Sequence, residues 1–165
     1  MKPTKRTILI LVLVAILLAV PATVLAGKLI YKARLTTAQE TVPVVGSDAR
    51  GSLIFGTDPD GNWIFKLKVR DLSGPVGGAH IHGPAGYGQA AGIVFTLCGN
   101  PQPGAVLTCD VKDGKLKVEG NFDPSMLRGI TAEQFMEYLN SGMLYVNVHT
   151  GMNPAGESRG QIHEH

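Results

Sequence analysis

Apolar and polar residues alternate with a period of two along most of this chain, the pattern of strands with one face buried and one face wet. The clearest stretch is Trp63 to Arg70. There Trp63, Phe65, Leu67 and Val69 share one face, while Ile64, Lys66, Lys68 and Arg70 share the other, which is largely cationic and reads as solvated. Leu29 to Thr36 and Gly51 to Gly56 are earlier strands, the second ended by the turn Asp58-Pro59-Asp60-Gly61. Gly92 to Leu97, Val106 to Val111 and Lys115 to Phe122 follow, with the hairpin signal Asp113-Gly114 joining the last two. Met143 to His149 and Ser158 to His163 close the chain. One segment breaks the pattern: Thr131 caps a helix, Gln134 completes a capping box, Phe135, Met136 and Leu139 form an apolar stripe, and Gly142 ends it. About eight short strands, with one short helix before the penultimate strand, predict an all-β domain, a Greek-key β-sandwich or barrel.

Two of these strands carry imidazoles. In Gly77-Gly78-Ala79-His80-Ile81-His82-Gly83-Pro84, His80 and His82 point to one side and Ala79 and Ile81 to the other. In Tyr145-Val146-Asn147-Val148-His149-Thr150, His149 shares its parity with Tyr145 and Asn147. If the two strands are neighbours, His80, His82 and His149 make a three-nitrogen face suited to copper or zinc. The lack of nearby thiolates or clustered carboxylates argues against iron-sulfur, calcium and magnesium. A shared face supplies direction and not distance, so a second reading stays open: the histidines hydrogen-bond with Glu40, Asn147 and Arg159 in a buried polar network. Arg159 is expected to pair with Glu40 or Glu157. His163 and His165, close to the C-terminus, are reserve fourth ligands.

Composition adds the compartment. Lys2, Lys5 and Arg6 precede an unbroken apolar run from Ile8 to Val20, with Pro21 and the small residues up to Ala26 behind it, which reads as a signal peptide over residues 1–26. The competing reading is an uncleaved membrane anchor over residues 7–26, the only route to a membrane expected here. Either way the remainder, residues 28–165, is a single extracytoplasmic domain. Removing the three leader cations takes the formal charge from +2 to −1, which leaves no electrostatic footprint for nucleic acid. Cys98 and Cys109 are the only cysteines, and in an exported chain the pair reads most simply as a disulfide closing the loop between them. Thiolate ligation is the alternative, without CxxC spacing to support it. Gly156-Glu157-Ser158-Arg159-Gly160 fits the nucleophile-elbow pattern, but the few residues after it cannot supply the helix, acid and histidine that the elbow needs.

Four runs together resemble a known family. Leu35-Thr36-Thr37-Ala38-Gln39-Glu40-Thr41-Val42-Pro43, Ala79-His80-Ile81-His82-Gly83-Pro84-Ala85, Tyr145 to Thr150, and Asn153 to Ile162 are similar, in order, to the motifs of the CHRD domain, named for its repeats in chordin. The resemblance covers nearly all of residues 28 to 162 and implies an exported binding module with a protein partner. Thr41, placed before Val42-Pro43, and the Cys98 to Cys109 loop depart from the family pattern. His80-Ile81-His82, Val148-His149 and the Arg159 segment are more weakly similar to the copper strands of Cu/Zn superoxide dismutase. That likeness implies copper ligation by His80, His82 and His149, with Arg159 near the open metal face. No histidine lies between His82 and His149, so a bridged zinc site is not expected. Three functions follow: a non-enzymatic binding module with a mononuclear copper or zinc site, a copper-only redox enzyme of dismutase type, or a structural and protein-interaction domain without metal.

Overall fold

The computed structural model describes residues 29–100 and 107–165. The leader expected over residues 1–26 therefore lies outside the described residues, as does Val106 at the head of one expected strand. Among the described residues, no helix is long and apolar enough to cross a membrane.

The alternating segments become strands β1 (Ile30–Thr36), β2 (Arg50–Thr57), β3 (Trp63–Arg70), β4 (Val76–His82), β5 (Ile93–Gly99), β6 (Val111–Lys112), β7 (Lys115–Asn121), β8 (Tyr145–Thr150), β9 (Ser158–Gln161) and β10 (His163–Glu164). The helix, α1 (Ala132–Asn140), stands between β7 and β8. All pairings are antiparallel, in the order β5-β4-β8-β9-β1-β2-β3-β7-β6, with β10 on β1. The expected all-β architecture thus takes the form of one curled sheet, a half-barrel. The curl brings remote strands together: Phe65 on β3 meets Phe95 on β5 with ring centroids 6.0 Å apart, although five strands intervene.

A curled sheet needs a filler for its concave side, and α1 supplies it. Phe135 and Leu139 are fully buried, and Phe135 stacks on Phe122 at 4.7 Å and meets Phe55 at 5.6 Å. The helix starts where the capping box places it. Thr131 Oγ1 accepts from the Gln134 amide at 3.3 Å, and Gln134 Oε1 accepts from the Thr131 amide at 2.9 Å. Met136 is only half-buried, so the apolar stripe is narrower than expected.

The strand expected from Val106 to Val111 is reduced to Val111–Lys112. Its upstream part is drawn to β5 at the opposite edge of the sheet: the Gly99 amide donates to Leu107 O at 3.1 Å, and Cys98 is bonded to Cys109. The disulfide joins edge strand β5 to the residues just before edge strand β6, clasping the open seam of the half-barrel.

Candidate metal centre

The histidines lie on the convex side of the sheet, opposite the apolar core. Ala79, Ile81, Val146 and Val148 point inward and are fully buried, as strand alternation requires. Their neighbours His80, His82, Tyr145 and Asn147 point outward, yet they are buried as well, with His80 3% and His82 7% exposed. Loops form the roof. The Ala91 amide donates to Tyr145 Oη, Arg159 donates to Gly86 O, and Gln161 Nε2 donates to Ala85 O, which ties the Gly83 to Gly92 loop down.

Register sets the triangle. β4 and β8 are hydrogen-bonded neighbours with His80 opposite Asn147, His82 opposite Tyr145 and Gly78 opposite His149, so His149 is diagonal to His80. The pairing of β4 with β5 slips twice, between Ala79 and His80 and between Ile81 and His82. Such bulges bend a strand and re-aim its side chains. Ring centroids are 5.1 Å apart for His80 and His149, and 5.7 Å for the other two pairs. One nitrogen from each ring lies within 4.8 Å of the others.

Each ring is oriented by a backbone carbonyl. His80 Nε2 donates to Asn100 O at 2.7 Å, His82 Nδ1 to Ala91 O at 3.0 Å and His149 Nδ1 to Pro154 O at 3.1 Å. A carbonyl can only accept, so these nitrogens carry the protons. The lone pairs then sit on His80 Nδ1, His82 Nε2 and His149 Nε2, all buried and without a hydrogen-bond partner. Burial also holds the rings neutral. It lowers His80 and His82 to about 4, against the backbone hydrogen bonds that favour charge, and lowers His149 in the same direction.

Gly78 helps build the site and carries no signal in the sequence. A Cβ there would fall 2.7 Å from the His80 ring and 2.5 Å from Asn100 O, so only glycine lets His80 reach its carbonyl.

The alternative reading, a network of Glu40, Asn147 and Arg159 around the histidines, has a different geometry here: no imidazole hydrogen-bonds to any of the three, and each ring is held by a loop carbonyl. Asn147 Nδ2 instead donates to Glu40 Oε2 at 3.4 Å, beside Gly156, where a Cβ would fall 2.5 Å from the same oxygen. Burial raises the Glu40 carboxyl to about 7, outweighing the Arg159 charge and the Asn147 hydrogen bond. Arg159 forms no ion pair within 4.0 Å of Glu40 or Glu157. Its guanidinium lies 3.5 Å above the Tyr145 ring, and Tyr145 stacks on His82 at 5.0 Å. Arg159 is 2% exposed, so it is a packing element behind His82 and not a charge on an open face.

Glu157 has its own partners. Fully buried, it accepts from the Ser47, Ser73 and Thr150 hydroxyls and from the Ser73 amide. Burial alone would raise its carboxyl, but these hydrogen bonds outweigh it and hold the pKa below the ordinary value. His163 and His165 are exposed on and beside β10, which pairs with Tyr31 and Lys32, and neither belongs to the cluster.

The chain thus presents a curled antiparallel half-barrel with three neutral imidazoles converging beneath a roof of loops. The family model of the CHRD domain matches residues 31–162, and the protein belongs to that family. No curated protein and no solved structure matches the chain.

Proposed function

We propose that this protein is an exported CHRD binding module in which His80, His82 and His149 hold a single copper or zinc ion. One observation carries the proposal: three buried imidazole nitrogens, each fixed as a lone-pair donor by a carbonyl on the opposite side of its ring, have no other partner. Stranding three such acceptors costs about 1 to 3 kcal/mol each, and a metal ion satisfies all three at once. Binding draws the rings closer together. A tetrahedral ion with nitrogens about 2.1 Å away sets them about 3.4 Å apart, so a pair at the 4.8 Å limit has to draw in by roughly 1.4 Å, which is within reach of ring rotation and loop movement. Three protein ligands leave a fourth position for water or a partner's side chain.

The disulfide supports export, since such bonds persist in oxidising compartments. The placement of Arg159 favours binding over a dismutase-type reaction: a side chain buried on Tyr145 does not guide an anion to the ion. Calorimetric titration of the metal-free protein with Cu(II) and Zn(II) tests the site. One equivalent should bind tightly, and His80→Ala, His82→Ala and His149→Ala should each lose that binding while keeping the fold. Absence of tight binding in the wild type, or undiminished binding in all three variants, would make the histidines structural.

A further inference from the structure

A groove of about 640 Å³ crosses the outer face of β1, β2, β3 and β7, and none of the residues lining it belongs to the histidine site. The strand register builds its walls. Arg34, Ser52, Lys68 and Lys117 stand opposite one another across the four strands. Two residues along, Arg50 is opposite Arg70, with Lys115 in the matching place on β7. Between the rows, Leu35, Val69 and Leu116 turn their side chains into the core, so the floor there is backbone. All six cations are exposed. Two carboxylates stand nearby without lining the groove: Asp71 pairs with Arg50 at 3.0 Å and Arg70 at 3.3 Å, and Glu119 pairs with Lys117 at 3.3 Å. The near-neutral total thus conceals a positive channel on one side of the domain.

We propose that this groove binds a linear acidic polysaccharide, a chain of uronate or sulfated sugars laid across the four strands. With strands about 4.8 Å apart the channel is roughly 14 Å long, enough for an extended polyanion to meet cations on both sides. Guanidinium groups suit bidentate pairing with carboxylate and sulfate. Two other polyanions fit less well. Among the described residues no aromatic ring lines the groove for bases to stack on, as single-stranded nucleic acid would use. Among the described residues the charges line a recess without exposed apolar side chains, whereas a bilayer surface is met by cations together with residues that insert.

The test is binding of the purified full chain to alginate oligosaccharides and dextran sulfate, with neutral dextran as the blank. Affinity for at least one acidic probe should fall steeply between about 50 and 200 mM salt, and neutral dextran should not bind. Replacing Lys68→Glu and Lys117→Glu together should weaken it by about tenfold or more. The pair Lys32→Glu and Lys66→Glu makes the same change in net charge on the same face outside the groove, and should cost less than about threefold. Near-UV circular dichroism confirms the fold of each variant; if the first pair does not fold, Lys115→Gln alone should still weaken binding. The proposal is overturned if neither acidic probe binds or if both charge-reversed pairs weaken binding equally. It is also overturned if phosphatidylglycerol vesicles or a single-stranded oligonucleotide bind more tightly than both polysaccharides and that binding is the one lost on Lys68→Glu with Lys117→Glu, which separates the groove from the apolar leader.

Discussion

Lowering the pH from 7 to 5 without metal should destabilise this fold through His80 and His82. In the unfolded chain both imidazoles take up a proton near 6.5, whereas in the folded protein burial keeps them neutral until about 4. Their folded-state pKa values are depressed, so stability is intact above 6.5 and is lost as the pH falls from there towards 4. Between pH 7 and 5 each ring costs about 2 kcal/mol by proton linkage. Glu40 acts in the opposite sense. Its carboxyl is raised from 4.5 to about 7, so its contribution is full below 4.5 and is lost as the pH rises through 7. Over the same interval Glu40 gives back about 2 kcal/mol, and the three groups together leave a net loss of about 2 kcal/mol. Urea unfolding at both pH values in the presence of a chelator separates the terms. His82→Phe should lose about 2 kcal/mol less than wild type on acidification, and Glu40→Gln about 2 kcal/mol more. The same pH dependence in all three proteins would refute the assignment of these groups to a buried, desolvated site.

Glu157→Ala strands the Ser47, Ser73 and Thr150 hydroxyls and the Ser73 amide, and should cost about 3 to 5 kcal/mol in urea unfolding; a loss below about 1 kcal/mol would contradict the buried network. Cys98→Ser with Cys109→Ser should cost about 2 to 3 kcal/mol by opening the seam, and native unreduced protein should resist alkylation. For the leader, N-terminal sequencing should find a mature chain starting near Gly27; a chain recovered from membranes that still begins at Met1 would show an anchor instead.

The parts of this molecule legible in the sequence are those governed by local periodicity. Alternation over Trp63 to Arg70 gives β3 with its observed ends, the capping box gives the start of α1, and residue parity puts His80 with His82. Parity cannot pair β4 with β8, because strand order is decided by the long-range closure of the curled sheet; the triangle with His149 becomes visible only there. The carbonyls of Ala91, Asn100 and Pro154 that orient the rings belong to loop backbone and leave no trace in residue identity. The carboxylate partner that charge alone suggests for Arg159 is replaced by the Tyr145 ring and the Gly86 carbonyl, contacts that depend on how the loop folds back over β9. The cationic groove is likewise a product of register: Lys68 and Lys117 are far apart in sequence and stand opposite each other across β3 and β7.

Nitrogen-detected NMR of the five histidines, before and after one equivalent of zinc, tests the central claim most directly. In the metal-free protein His80 should be protonated at Nε2, and His82 and His149 at Nδ1, the atoms that face carbonyls. On addition of zinc, His80 Nδ1, His82 Nε2 and His149 Nε2 should shift as coordinated nitrogens, with His163 and His165 unchanged. Unchanged signals from His80, His82 and His149, or a zinc response confined to His163 and His165, would contradict the account.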